Sequence, residues 1–187
     1  HATRAGANGG DVTLGSGEAG RVVLGAGARI DAGGDDAEDG RIVLRAARND
    51  ADGTLAVTLH SGLNRASQLN AAEIVVEAVR NYQGYERLAS GESQGLTLGQ
   101  ATLHSDALAF AANSGALLAG LGLAGDARAS LRNGVQVLAD GDFTVANDWN
   151  LWRADRADPT GSQPGLLTLR AAGTLRLDGS ISDGFAS

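Results

Sequence analysis

The sequence predicts an all-β chain wound as a parallel β-helix, a β-solenoid with coils of about 20 residues, on three observations. First, Gly-Arg-Val-Val-Leu at 20–24 and Gly-Arg-Ile-Val-Leu at 40–44 repeat one another twenty positions apart, each an alternating run entered from glycine. Second, strand-like pairs follow one another at a fixed step: Val135 and Val137 precede Phe143 and Val145 by eight residues, and Leu167 and Leu169 precede Leu175 and Leu177 likewise. Val22 and Ile30 keep the same interval. Third, the composition suits continuous ladders, with 28 glycines for turns and only 2 prolines to interrupt pairing. One coil cannot bury its apolar face until neighbours stack on it, so residues 1–187 read as a single β-helix segment, a fragment of a longer chain.

In chain order, period-2 alternation marks strands at 12–14, 21–24, 41–45 and 54–59. The acidic turn Asp31-Ala-Gly-Gly-Asp-Asp-Ala-Glu-Asp-Gly40 between them is solvated, its aspartates bonding local backbone. As a calcium loop it fails on spacing, because Ala37 stands where a ligand is needed and Ala46 where an EF-hand requires glutamate. Residues 73–82 alternate at Ile74, Val76 and Ala78, and Leu96 and Leu98 begin a further strand. Over 105–121 the period changes: Ser105 and Asp106 suit a helix start, and Leu108, Ala111, Ala112, Leu118 and Leu121 share one side, which predicts a helical excursion on the solenoid's flank. From 129 the strands resume until a projecting loop at 147–164, which holds both tryptophans and both prolines. The inward set is Val22, Leu24, Ile42, Leu44, Ile74, Val76, Val135, Val137, Phe143, Val145, Leu167, Leu169, Leu175 and Leu177.

Charge and composition exclude several functions. The net charge is −7 and every positive side chain is arginine, which disfavours phosphate neutralisation on nucleic acid and a polybasic membrane anchor. No run approaches the roughly 18–20 apolar residues of a membrane span, so membrane insertion is not expected. Cysteine is absent, as suits an exported chain in which a stray thiol would be trapped. The chain opens His1-Ala2-Thr3 and reads as an internal or processed piece whose export signal lies elsewhere.

The residue types needed for catalysis do not assemble. His1, His60 and His104 share no metal-ligand spacing, and His104-Ser105-Asp106 places triad letters side by side where a triad is built across a fold. A polysaccharide lyase or hydrolase on a β-helix needs clustered carboxylates, for which Asp140 and Asp142, with Asp148 beyond, are the candidates. Keeping an exposed strand soluble and blunting its edge is the favoured reading of them. No enzyme activity, cofactor or metal is therefore expected. The candidate binding element is the 147–164 loop, through Trp149, Trp152, Arg153, Asp155 and Arg156. Its alternative is a local cap, with Trp149 and Trp152 folded onto the coil beneath.

The strings Gly134-Val-Gln-Val-Leu-Ala-Asp-Gly-Asp-Phe-Thr-Val-Ala-Asn-Asp-Trp-Asn-Leu151 and Pro164-Gly-Leu-Leu-Thr-Leu-Arg-Ala-Ala-Gly-Thr-Leu-Arg-Leu-Asp-Gly-Ser-Ile-Ser-Asp-Gly-Phe185 resemble the large filamentous-haemagglutinin-like exoproteins. The resemblance covers roughly 70–185; residues 1–69 match in style alone. It implies a right-handed parallel β-helix, secreted or displayed on a bacterial surface after crossing the outer membrane through a dedicated two-partner transporter. Its family carries no catalytic residues to transfer. The expected role is a structural stalk segment of an adhesin, of eight or nine coils, with a host-cell or glycan receptor as a further partner. Two alternatives stand beside it: a polysaccharide-binding or polysaccharide-cleaving β-helix, and a self-assembling module that stacks end to end.

Overall fold

A computed structural model describes residues 9–17, 20–34, 40–49, 54–60, 68–151 and 166–182. About half of these residues are in strands, and they include one helix of more than one turn, so the chain is mostly β. It divides into two compact units, one built from His1–Val79 and Ser114–Arg132, the other from Arg80–Asn113 and Asn133–Ser187.

In the first unit β1 (Asp11–Gly15), β4 (Arg41–Asn49) and the start of β8 (Glu73–Gln83) lie side by side in parallel. Val12, Ile42 and Ile74 form one rung and Leu14, Leu44 and Val76 another. β2 (Val22–Leu24) pairs in parallel with β6 (Val57–Leu59), and β3 (Ile30–Asp31) with β7 (Leu69–Asn70). The short β5 (Thr54–Leu55) turns back antiparallel on the end of β4. Alternation turns Val22, Leu24, Ile42, Leu44, Leu59, Leu69, Ile74 and Val76 into one apolar interior. Leu121 and Leu123, at and just beyond the end of the helix, fill it further.

The other side of this sheet is also covered. Val43, Val75 and Val79 are buried between ion pairs that cross from strand to strand. Arg45 Nη1 meets Glu77 Oε2 at 3.1 Å. Glu73 lies between two arginines, with Arg41 Nε 3.0 Å from Oε2 in a pair lacking hydrogen-bond alignment, and Arg132 Nη2 at 3.5 Å from Oε1. The aliphatic stems of these side chains screen the valines from water while their heads neutralise one another. The unbroken apolar runs Ile42-Val43-Leu44 and Ile74-Val75-Val76 are the sequence trace of this two-sided burial.

In the second unit β11 (Ala129–Ala139) pairs in parallel with β14 (Leu166–Ala171). A second parallel sheet runs β10 (Thr97–Gly99), β9 (Arg87–Ala89), β12 (Phe143–Val145), β15 (Leu175–Leu177), and β13 (Trp149–Asn150) pairs with β16 (Ile181–Ser182). Leu88, Leu98, Leu103, Val137, Phe143, Val145 and Trp149 form its core.

The pairing interval corrects the expected 20-residue coil. Val135 lies beside Leu167, Phe143 beside Leu175 and Trp149 beside Ile181, each 32 residues on. In the first unit the steps are 30 from Val12 to Ile42, 32 from Ile42 to Ile74, 35 from Val22 to Val57 and 39 from Ile30 to Leu69. The two copies of Gly-Arg-(Val/Ile)-Val-Leu belong to different sheets, since Val22 pairs with Val57 while Ile42 pairs with Val12 and Ile74. The eight-residue step joins strands that follow one another, such as β11 to β12, and these are not hydrogen-bonded neighbours.

The helix, α1 (Gln100–Leu121), is longer than the predicted 105–121. Ser105 and Asp106 lie inside it and do not cap it. The Asp106 carboxylate instead accepts a 2.6 Å hydrogen bond from the Tyr82 hydroxyl and pairs with Arg80, whose guanidinium carbon sits 5.1 Å from the centre of the Tyr82 ring. The turn preceding the helix is held by the Ser93 hydroxyl, which accepts from the Gly99 N–H, and by the Thr102 hydroxyl, which accepts from the Ser93 N–H. No helix among the described residues is long and apolar enough to cross a membrane.

Candidate functional site

The predicted binding loop falls into two parts. Trp152, Arg153, Asp155 and Arg156 lie outside the described residues, as does the turn Asp35–Asp39 weighed above as a calcium loop. Trp149 is described: it sits in β13, is 4% exposed and packs with Leu151, Phe143 and Val145. Its indole is core, as in the folded-back alternative, so the loop at 147–164 begins with a strand. The physical reason is alternation, which turns Trp149 to the same interior as Phe143 and Val145 and gives the largest side chain of the segment the most apolar area to bury.

The candidate carboxylates do not converge. Asp142 Oδ1 accepts a 2.6 Å hydrogen bond from the Thr174 N–H, and Asp148 Oδ1 accepts one of 2.7 Å from the Ser180 N–H. Both recipients are 32 residues further on, the interval of the strands beside them. Asn147 Oδ1 takes the Ser90 N–H at 3.2 Å, and Gln100 Nε2 donates to the Asp148 carbonyl at 3.1 Å. These side chains therefore tie turns to one another, Asp142, Asp148 and Asn147 each satisfying a backbone N–H and Gln100 a backbone carbonyl. Asp140 is exposed and joins neither clip.

Glycine makes the close approach possible. A Cβ on Gly179 would overlap the Asn147 carbonyl, and one on Gly173 would meet the Asp142 carboxylate. The corner strings Asp142-Phe-Thr-Val-Ala-Asn-Asp148 and Thr174-Leu-Arg-Leu-Asp-Gly-Ser180 are these two stacked layers, so a 32-residue comparison of the sequence with itself could have found the clips.

Corners in the first unit are tied in the same way. Asn70 Nδ2 donates to Asp31 Oδ1 at 2.7 Å, and this bond, with Arg29 beside it, holds the Asp31 carboxyl below its ordinary range. Arg128 donates from Nε and Nη2 to Asp126 and from Nη1 to the carbonyls of Leu69 and Ala71. The guanidinium hydrogen bond holds the Asp126 carboxyl low and raises Arg128 in return.

His60 and His104 are both exposed and belong to different units, and His1 is outside the described residues. Among the described residues no group of three or more His, Asp or Glu side chains is placed to hold a metal ion. The carboxylate clips tie the turns at the ends of β12 to those beside its parallel neighbour β15. No family model, curated protein or solved structure matches the chain.

Proposed function

We propose that the chain is a segment of a right-handed parallel β-helical shaft, with turns of about 32 residues and three strands to a full turn. It serves as the stalk of a secreted or surface-displayed bacterial adhesin of the filamentous-haemagglutinin-like kind. The observation that carries this reading is the common interval at Val135–Leu167, Phe143–Leu175 and Trp149–Ile181, where three successive strands each meet their counterpart the same distance on. A chain that repeats its path at one interval in three sheets is winding. Parallel crossovers of this type are right-handed in the great majority of proteins. The long sheet has five strands along its path, β1, β4, β8, β11 and β14, fewer than the eight or nine coils expected.

The role follows from the ladders. Where β1, β2 and β3 meet β4, β6 and β7, and where β11, β12 and β13 meet β14, β15 and β16, one turn is hydrogen-bonded to the next along three sheets and clipped at corners through Asn70, Asp142 and Asp148, so bending or shearing the shaft there must break many bonds together. A chain without cysteine can be threaded unfolded through an outer-membrane two-partner transporter and can wind outside without disulfide chemistry. Carboxylates occupied with backbone donors are poorly disposed to act as the acid and base of a glycosidase, which favours the stalk over a polysaccharide-cleaving surface.

Antibody raised against residues 1–187 tests the reading on cells that express the parent gene. Labelling of intact cells, and release of the antigen by external protease, is the expected result. Signal that appears only after lysis would overturn it.

A further inference from the structure

The inward side chains of the first unit do not distinguish one strand from another. Val22 and Leu24, Ile42 and Leu44, and Ile74 and Val76 enter the same apolar interior at the same spacing and with similar bulk. By that measure β4 would bury its inward pair as well beside β2 as beside β8. The outward side chains differ. β4 carries Arg41, Val43 and Arg45, and β8 sets Glu73, Val75 and Glu77 directly opposite them. Both ionic rows close, with Arg45 Nη1 3.1 Å from Glu77 Oε2 and Arg41 Nε 3.0 Å from Glu73 Oε2. Between the rows Val43 and Val75 are buried. On its other side Arg41 stands opposite Asp11 of β1, and Arg132 reaches the second oxygen of Glu73, so charge alternates along Asp11, Arg41, Glu73 and Arg132.

We propose, on the reading of stacked turns, that these outward rows choose the neighbour: they admit β8 beside β4 and reject the strand offered by the 20-residue echo. Laid against β4 in the register of the echo, Gly20-Arg-Val-Val-Leu24 sets Arg21 opposite Arg41 and leaves Gly25 opposite Arg45. Opposite charges across a strand pair stabilise it, and like charges directly opposite destabilise it. Sign also rejects a skipped turn, because β1 against β8 sets Asp11 opposite Glu73. In its observed place β2 meets no such conflict, since Arg21 donates to the uncharged Thr58 hydroxyl at 3.2 Å. The Arg45 and Glu77 side chains are largely shielded from water, so salt screens them less than it screens an open surface pair. A chain whose turns all bury Val and Leu needs such a rule, because specificity requires a penalty on the wrong neighbour as well as a gain on the right one.

The absence of cysteine lets the choice be read as a competition within one full-length chain carrying Val23→Cys, Val43→Cys and Val75→Cys. Refolded in a glutathione buffer, position 43 can bridge to 75, its observed neighbour, or to 23, its echo. With the native charges the 43–75 bridge is expected to dominate. Glu77→Arg should lower the ratio of 43–75 to 23–43 bridges about fivefold by setting two arginines opposite one another. Adding Arg45→Glu should restore the ratio, and the restoration is clean because Gly15 and Gly25, the other residues that face position 45 in the observed and echo pairings, carry no charge. Arg21→Glu, which leaves both native rows intact, should also lower the ratio by making the echo complementary to Arg41. A ratio indifferent to Glu77→Arg, or one that Arg45→Glu fails to restore, overturns the proposal and leaves the shaft reading standing. Predominance of the 23–43 bridge with native charges sinks both.

Discussion

Gly179 and Asp148 show at the residue scale how one layer sets the terms for the next. The Gly179 backbone lies against the Asn147 carbonyl, and the displaced atom would be backbone, which cannot swing aside. Gly179→Ala is expected to cost about 1–3 kcal/mol through overpacking, while Gly25→Ala, with open space around it, should be nearly silent in the same thermal melts. Charge gives a second expectation. The Asp126 carboxyl is held low by the Arg128 hydrogen bond, so it contributes stability above its unfolded pKa, and that contribution is lost as pH falls through the lowered folded value. Acid titration of the melting temperature should show this loss, and Asp126→Asn should flatten the same acid limb while leaving stability nearly independent of pH near neutrality. None of these clips was visible to residue-by-residue reading. Asp142 and Asp148 look like any solvated turn carboxylate until the 32-residue partner, Thr174 or Ser180, is placed beside them.

Elements were far more legible than their pairing. The strands expected at 12–14, 21–24, 41–45, 54–59 and 73–82 are present, 54–59 as two short strands, because alternation with glycine at the ends is a local signal. Which strand lies beside which is a non-local property: every inward strand carries the same Val and Leu pattern, so the 20-residue echo between β2 and β4 was indistinguishable from a true neighbour relation. The helix was found but begins at Gln100, since Asp106 is bound by Tyr82 and Arg80 and the true start is fixed by Ser93 and Thr102. Leu103 anchors its first half in the core of the second unit, whereas Leu108 is 47% exposed. Leu103→Ala should therefore cost about 2–5 kcal/mol of stability in denaturant titrations, and Leu108→Ala much less. Equal losses at the two positions would mean that the buried face of α1 is misassigned.

At the scale of the whole molecule, one pairing interval of 32 residues recurs in three sheets. Strands that recur at 32 residues and corner side chains that reach the parallel neighbour are the observations on which the proposed wound support rests. The proposal also draws on composition: many glycines, few prolines and no cysteine. The number of turns was not legible, because it depends on the pairing interval. The most direct measurement is a comparison of two double-cysteine chains under mild oxidation. Val23→Cys with Thr58→Cys joins residues 35 apart that lie opposite across β2 and β6, and Val23→Cys with Val43→Cys joins residues separated by the 20-residue echo. The account predicts that the first pair closes within the monomer and raises the melting temperature, while the second stays open. Closure of the second pair with the first remaining open would contradict it.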